Sequence, residues 1–131
     1  PRAQARSSVR WTTISTPSVA DGLVYIADFD GRVHCLDAKT GKVQWVHDTK
    51  SHIWGSTFVA DGKVWVGNED GFLTVLATGR KRKVLAEIEL RAPIHGTPIA
   101  ANGTLYVMTN THLYAIANEP AAPARVAPAK K

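Results

Sequence analysis

Several features that would narrow the function are scarce or missing in this sequence. A single cysteine, Cys35, among 131 residues excludes a disulfide bond within the chain, and its place in a strand pattern predicts a small buried side chain. No run of about 18 apolar residues occurs, so we predict no transmembrane segment. The chain also lacks a Gly-rich phosphate loop, a G-x-S-x-G nucleophile motif and an H-E-x-x-H metal motif. Nothing in it therefore points directly to a reaction.

The basic character of the chain comes from its two ends. The formal net charge is +5, but six of the 16 Lys and Arg residues lie outside the stretch from Trp11 to Glu119, which holds all 11 acidic residues. Inside that stretch the charges nearly cancel. A nucleic-acid-binding protein needs a basic face, so we predict no nucleic-acid partner.

A repeat of about 40 residues organises the sequence. The segments Ser15–Ile26, Gly55–Val66 and Gly96–Val107 match one another at shifts of about 40 residues. In each segment a short strand ends in a dipeptide that strongly favours a tight hairpin, and these dipeptides are Asp21-Gly22, Asp61-Gly62 and Asn102-Gly103. Further turns and strands follow, and no helical period of useful length appears. Four short strands in about 40 residues are typical of one β-propeller blade.

We therefore predict an all-β protein of antiparallel four-stranded propeller blades, with about three repeats in an incomplete ring. The blades are expected at about residues 14–53, 54–94 and 95–118, and the last has three recognisable strands. The β-branched segment Val9 to Ile14 is expected to add one strand. Three blades are too few to close a ring, because a blade buries its faces only against neighbours.

The two ends lead to further expectations. Residues 1–8 are expected to form a flexible basic arm, and residues 119–131 a disordered basic tail rich in Pro and Ala. The open ring is expected to pair with the remaining propeller blades of a longer protein or with further copies of this chain. A start without Met favours a longer protein.

The first repeat carries the most specific motif. Residues 35–45 are expected to form a strand, a tight turn and a second strand. The positions that define the motif are Asp37, Thr40, Gly41 and Lys42 at the turn and Trp45 in the second strand. This pattern resembles the repeat signature A-x-D-x-x-T-G-K-x-x-W of the PQQ-type β-propellers, with Cys35 in place of Ala. The resemblance extends from Ile14 to Ala117.

The resemblance implies one of two kinds of protein. Quinoprotein dehydrogenases of this family hold pyrroloquinoline quinone and Ca²⁺ in the central funnel and use an adjacent cysteine pair, whereas this chain has one cysteine. Other members bind no cofactor and are scaffolds, and many resemble the propeller lipoprotein of the outer-membrane assembly machine. The resemblance favours the second kind, a non-catalytic scaffold or protein-interaction module without a cofactor. It also implies the periplasm or cell envelope, with envelope proteins as partners.

Two alternatives remain open at this stage. One is the C-terminal part of a dehydrogenase that depends on pyrroloquinoline quinone and Ca²⁺. The other is a propeller that binds a carbohydrate or another ligand.

Three groups of side chains are candidates for a site. The acidic turns at residues 28–31 and 68–71 offer carboxylates that suit Ca²⁺, although Asp-Gly is first of all a hairpin device. Trp54 and His95 align just before the first strand of their blades, where the channel mouth of a propeller lies. The basic turn at residues 80–83 suits phosphate or anionic lipid, but short charged loops are more often only solvated.

Overall fold

The computed structural model describes residues 10–117 and 125–128. These residues form an all-β protein, as predicted. Its strands are β1 (Ser18–Ala20), β2 (Leu23–Ala27), β3 (Arg32–Asp37), β4 (Val43–Asp48), β5 (Phe58–Ala60), β6 (Lys63–Gly67), β7 (Phe72–Ala77), β8 (Val84–Glu89), β9 (Ile99–Ala101), β10 (Thr104–Met108), β11 (His112–Ala117) and β12 (Arg125–Pro128). Within the described ranges no helix has the length and apolar character needed to cross a membrane.

The strands form three antiparallel sheets of four strands each. The first sheet has the order β1-β2-β3-β4, the second β5-β6-β7-β8 and the third β9-β10-β11-β12. Each sheet begins with a two-residue hairpin, at the dipeptides found in the sequence. Both residues of each dipeptide have positive φ, for example 49° at Asp21 and 74° at Gly22. This is the type I′ geometry that matches the twist of the flanking strands, and the dipeptides therefore set the repeat.

The core lies between neighbouring sheets. We call the contact of the first and second sheets the first interface, and that of the second and third the second interface. Fully buried Tyr25, Cys35 and Val64 lie in the first interface, and Leu73, Ile94 and Val107 lie in the second. The innermost strands β1 and β5 are in contact. Each sheet thus buries a face against its neighbour, as propeller blades do.

The expectation of an extra strand from Val9 to Ile14 is wrong for the residues that the structure describes. Residues 10–14 are in no strand, and Val9 lies outside the described residues. The segment is instead a connector like those that precede the second and third sheets. The N–H of Phe29 donates to the carbonyl of Thr12, as Glu69 N–H donates to His52 and Asn110 N–H to Pro93 in the next two units. β-Branched residues occur in such connectors as well as in strands, so composition alone misleads here.

The third sheet also differs from the prediction. A three-stranded last blade was expected, whereas β12 pairs antiparallel with β11, with Leu113 opposite Ala127 and Ala115 opposite Arg125. Part of the segment predicted to be disordered therefore supplies the fourth strand. The ladder groups of β11 need partners, and even a Pro/Ala-rich segment can provide them on an outer edge. Residues 118–124 and 129–131, like the arm at residues 1–8, lie outside the described residues.

Candidate functional site

The signature turn begins as a local hydrogen-bonded loop. The Oδ1 atom of Asp37 accepts hydrogen bonds from the N–H groups of Lys39 (2.9 Å) and Thr40 (2.8 Å) and from the Thr40 hydroxyl (3.1 Å). Gly41 has φ of 72° and donates its N–H to the Asp37 carbonyl, while Lys42 N–H donates to Thr40 Oγ1. These contacts close the turn between β3 and β4, as expected for Asp and Thr at such positions.

The same turn also joins the first sheet to the second. Asp37 Oδ2 accepts a hydrogen bond from the Arg80 guanidinium at 2.9 Å, and the Trp45 indole donates to the carbonyl of Gly79 at 2.8 Å. Gly79 N–H donates in turn to the hydroxyl of Tyr25 at 2.8 Å. The Thr40 N–H, the Arg80 guanidinium and the Lys39 N–H hold the pKa of Asp37 below its usual range. The signature residues therefore fasten two sheets together.

Arg80 and Arg82 of the basic turn also contribute to the contact between the first and second sheets. Arg80 also donates to the side chain of Gln44 at 3.2 Å, and Arg82 donates to Nδ1 of His47 at 3.2 Å. Burial, followed by the charge of Arg82, lowers the pKa of His47 and favours its neutral form. Arg80 and Arg82 therefore face the first sheet, which weakens the phosphate or lipid hypothesis for this turn.

Cys35 lies beneath this contact. It is fully buried, and burial raises the pKa of its thiol to about 11. Its Sγ lies 3.7 Å from the Gly79 carbonyl, next to Trp45 and Tyr25. A buried thiol with a raised pKa is a poor nucleophile, so Cys35 has the packing role that the sequence predicts.

The acidic turns are structural caps in which the first residue bonds the backbone. Asp28 is buried, with Oδ1 accepting the N–H of Arg32 at 2.9 Å and Oδ2 2.7 Å from Nε2 of His34. The equivalent Asn68 accepts the N–H of Phe72 with Oδ1 at 2.9 Å. The exposed carboxylate of Asp30 lies 3.7 Å from Arg32.

This donor set does not fit Ca²⁺. The ion takes six to eight oxygen ligands, whereas both oxygens of Asp28 already have partners and its counterpart is an amide. Among the residues described, no three His, Cys, Asp or Glu side chains are grouped to hold a metal ion.

The His34–Asp28 pair is a buried polar feature that the sequence did not reveal. The ring of Trp11 stacks on His34 with centroids 3.9 Å apart and covers it. The equivalent positions on β7 and β11 are Thr74 and Tyr114. Because the three repeats have different residues there, comparing them gave no signal. A buried His–Asp pair closed by a Trp ring has no access for a substrate.

Four rings, of which Phe29 is half-buried and the other three are exposed, form a cluster at the end of the sheets that carries the connectors. Phe29 stacks on His52 with centroids 4.6 Å apart and meets Trp54 edge-on at 4.9 Å, and Trp54 lies 5.5 Å from His95. Trp54 is 41% exposed, and His52 and His95 are exposed as well. We call Phe29, His52, Trp54 and His95 the ring cluster.

The ring cluster joins two candidates from the sequence with two residues that the sequence did not single out. Phe29 comes from the turn after β2, and His52 Nδ1 lies 2.9 Å from its carbonyl oxygen. The remaining histidines are elsewhere: His34 and His47 lie on the first sheet and His112 on the third. Aromatic rings that remain exposed at one end of a protein are typical of contact sites.

Comparison with known proteins gives a consistent result. The family model described as "Outer membrane protein assembly factor BamB" matches residues 3–116. The assembly factor BamB of Nitrosomonas eutropha is 28% identical over 109 residues, covering 83% of this chain and 26% of that protein. The chain thus spans about a quarter of that relative.

Two further proteins extend the comparison. The quinohemoprotein alcohol dehydrogenase ADH-IIG of Pseudomonas putida is 40% identical over 57 residues, which is 39% of this chain and 8% of the enzyme. The crystal structure of BamB from Moraxella catarrhalis superposes with a TM-score of 0.73 at 19% identity, covering 84% of this chain and 35% of the other. The similarity to the Moraxella catarrhalis structure concerns the fold alone.

Proposed function

The chain belongs to the family of the outer membrane protein assembly factor BamB, and we propose on that basis that it is a non-catalytic propeller segment that binds other proteins of the bacterial envelope. It takes part in the assembly of outer-membrane proteins, as the name of its relative says of that protein, and its proposed location is the periplasm. It uses no cofactor of its own. Fold alone does not carry a function, so the proposal depends on a site.

The ring cluster supports this proposal. Asp37 of the signature turn and Asp28 of the first acidic turn already have hydrogen-bond partners within the chain, whereas the rings of Trp54 and His95 remain accessible. Trp is enriched among residues that dominate protein–protein binding energies, and removing such a residue costs about 2 kcal/mol or more. The cluster therefore presents an anchor for a partner protein.

Site-specific photo-crosslinking tests the proposal. A photoreactive phenylalanine analogue at position 54 is expected to give covalent products with components of the outer-membrane assembly machinery in living cells. The same analogue at position 81, on the exposed turn of the second sheet, is the matched control. His95→Ala should weaken the products from position 54, because it removes a neighbouring ring. Identical products from positions 54 and 81 would contradict a specific site.

The similarity to a quinohemoprotein dehydrogenase favours a second candidate function, a segment of such an enzyme. This candidate predicts that the chain, with the missing blades supplied, binds pyrroloquinoline quinone together with Ca²⁺. When pyrroloquinoline quinone and Ca²⁺ are titrated into the chain itself, calorimetry should show no saturable heat, because the carboxylates of the acidic turns do not form a calcium site. Saturable binding that is lost in an Asp30→Asn, Asp70→Asn double variant would favour the enzyme over the scaffold.

A further inference from the structure

The two sheet interfaces of this protein differ in how completely they are filled. In the first interface Leu23, Tyr25 and Trp45 are all buried. In the second interface a cavity of about 350 Å³ lies between the hairpin β5–β6 and the third sheet. Its walls include Ala60, Lys63, Trp65, Ala100, Leu105 and Ile116. The first interface, where these side chains are buried, therefore serves as an internal reference for the second.

Strand register identifies the substitutions that distinguish the interfaces. Leu23 pairs with Ala20 and Lys63 with Ala60, so Lys63 has the place of Leu23. Tyr25 pairs with Ser18 on β1, and Trp65 pairs with Phe58 on β5. Trp65 therefore has the place of Tyr25. Trp45 lies opposite Cys35, and its counterpart Ala86 lies opposite Val75. The second interface thus has a charged side chain for Leu23 and a methyl group for the indole of Trp45.

The charge at Lys63 prevents the second interface from closing as the first does. Leu23 is 4% exposed, but an ammonium group at that depth would lose its hydration without a partner. Lys63 turns back instead, with Nζ 3.2 Å from the carbonyl and 3.3 Å from Oδ2 of Asp61. Its aliphatic stem lines the cavity while its charge stays at the rim. Trp65, which is only half-buried, forms another wall.

The lining determines the kind of molecule that fits. The walls of Ala60, Ala100, Leu105 and Ile116 are apolar, and the ring of Trp65 suits a stacked flat group. Lys63 is the more enclosed member of its ion pair, with its side chain 35% exposed against 89% for Asp61. A pair this exposed is weak, so an incoming anion can replace Asp61 beside Lys63. The volume lies near the small end of the range for ligand sites.

We propose that the cavity in the second interface binds a small planar aromatic carboxylate, with the ring against Trp65 and the carboxylate beside Lys63. The molecule occupies space of the kind that buried side chains fill in the first interface. This site lies at the hairpin β5–β6 and is independent of the ring cluster, so it stands whether or not the scaffold function is correct.

Two probes with the same ring and opposite charge test the proposal. Indole-3-acetate carries a carboxylate and tryptamine an ammonium group. Titrated into the ¹⁵N-labelled chain, indole-3-acetate should shift the amide signals of Lys63, Trp65 and Leu105 saturably. We expect it to bind at least about tenfold more tightly than tryptamine, because the acid can pair with Lys63, the more enclosed charge, whereas the ammonium group of tryptamine can pair only with the exposed carboxylate of Asp61.

Variants at position 63 separate shape from charge. Lys63→Leu restores the side chain of the first interface and should close the cavity and abolish binding. Lys63→Gln keeps the length without the charge and should lose the preference for indole-3-acetate, and the carboxylate of Asp61, which also lines the cavity and then lacks its partner, should favour tryptamine. Lys81→Leu, on the exposed turn at residues 80–83, is the control and should bind as the unaltered chain does. Circular dichroism and thermal unfolding check that each variant is folded.

Several results would overturn the proposal. They are unsaturated or absent shifts at millimolar indole-3-acetate, equal affinity for both probes in the unaltered chain, and undiminished binding by folded Lys63→Leu. Shifts located at the ring cluster rather than at Lys63 and Trp65 would also place the ligand elsewhere.

Discussion

Replacing Trp45 by Ala tests whether the signature tryptophan joins the first and second sheets. The side chain is 7% exposed, its ring centroid lies 5.9 Å from that of Tyr25, and its indole N–H donates to the Gly79 carbonyl at 2.8 Å. The substitution removes the ring from the first interface and leaves the carbonyl without this donor. Both changes destabilise the folded state.

The expected loss follows from the buried area and the hydrogen bond. A Trp side chain buries about 200 Å², and about 25 cal/mol per Å² gives about 5 kcal/mol as an upper value, since the unfolded chain already covers part of its surface. The lost hydrogen bond contributes about 1 kcal/mol. Buried aromatic residues replaced by Ala typically cost about 3–5 kcal/mol, and we expect Trp45→Ala to fall in this range.

Urea unfolding with matched variants provides the measurement. Trp45→Phe keeps most of the apolar area but cannot donate to Gly79, so we expect a smaller loss, about 1–2 kcal/mol. Trp54→Ala is the control, because Trp54 is 41% exposed and should cost about 1 kcal/mol or less. A Trp45→Ala loss below about 0.5 kcal/mol, or one no larger than that of Trp54→Ala, would refute the assigned role.

Three further outcomes are expected. The free energy of unfolding should fall as pH drops below about 4, because Asp37 has a lowered pKa and stabilises the fold only when its carboxylate is ionised. Asp37→Asn should flatten this fall. Urea midpoints that do not change across acid pH would contradict the expectation. The Cys35 thiol, with a pKa of about 11, should react with a disulfide reagent at pH 8 only after urea is added, and rapid native labelling would exclude its burial. Gly55→Ala should destabilise the chain, because a Cβ there would lie 2.8 Å from the carbonyl carbon of Gly96. The equivalent substitution Gly96→Ala places a Cβ that meets nothing within 4 Å and should be tolerated. Equal melting temperatures of the two variants would contradict this expectation.

The hairpins were predictable because their cause is local. Asp21-Gly22 and Asn102-Gly103 favour the positive φ values of a type I′ turn whatever surrounds them, and the repeated spacing then implies blades. The connector at residues 10–14 was not predictable in this way. Its position is set by the bond between Phe29 and Thr12, which joins distant parts of the chain. Strand β12 likewise depends on the free edge of β11 rather than on its own composition.

The candidate site was only partly readable from the sequence for a similar reason. Alignment of the repeats identified Trp54 and His95, which occupy the same position in successive units. Phe29 and His52 escaped notice because they occupy two different positions in the repeat and meet only after the first sheet packs on the next connector. The partner of Asp37 was hidden in the same way, since Arg80 lies 43 residues further along the chain.

The repeat constrains the backbone more strictly than the side chains, and this explains why one chain has interfaces of different character. Each connector accepts the same backbone hydrogen bond, at Thr12, His52 and Pro93, from a turn of the sheet that follows it, so connector and sheet are joined alike in every unit. Thr16 N–H donates to Ser56 Oγ and Ser56 N–H to Thr97 Oγ1, which links successive units near the innermost strands. Because these bonds fix the packing geometry, a change such as Leu23 to Lys63 between units alters the space in one interface without altering the fold. Variation of this kind can create a binding cavity in one unit while its neighbour keeps the closed core on which stability depends.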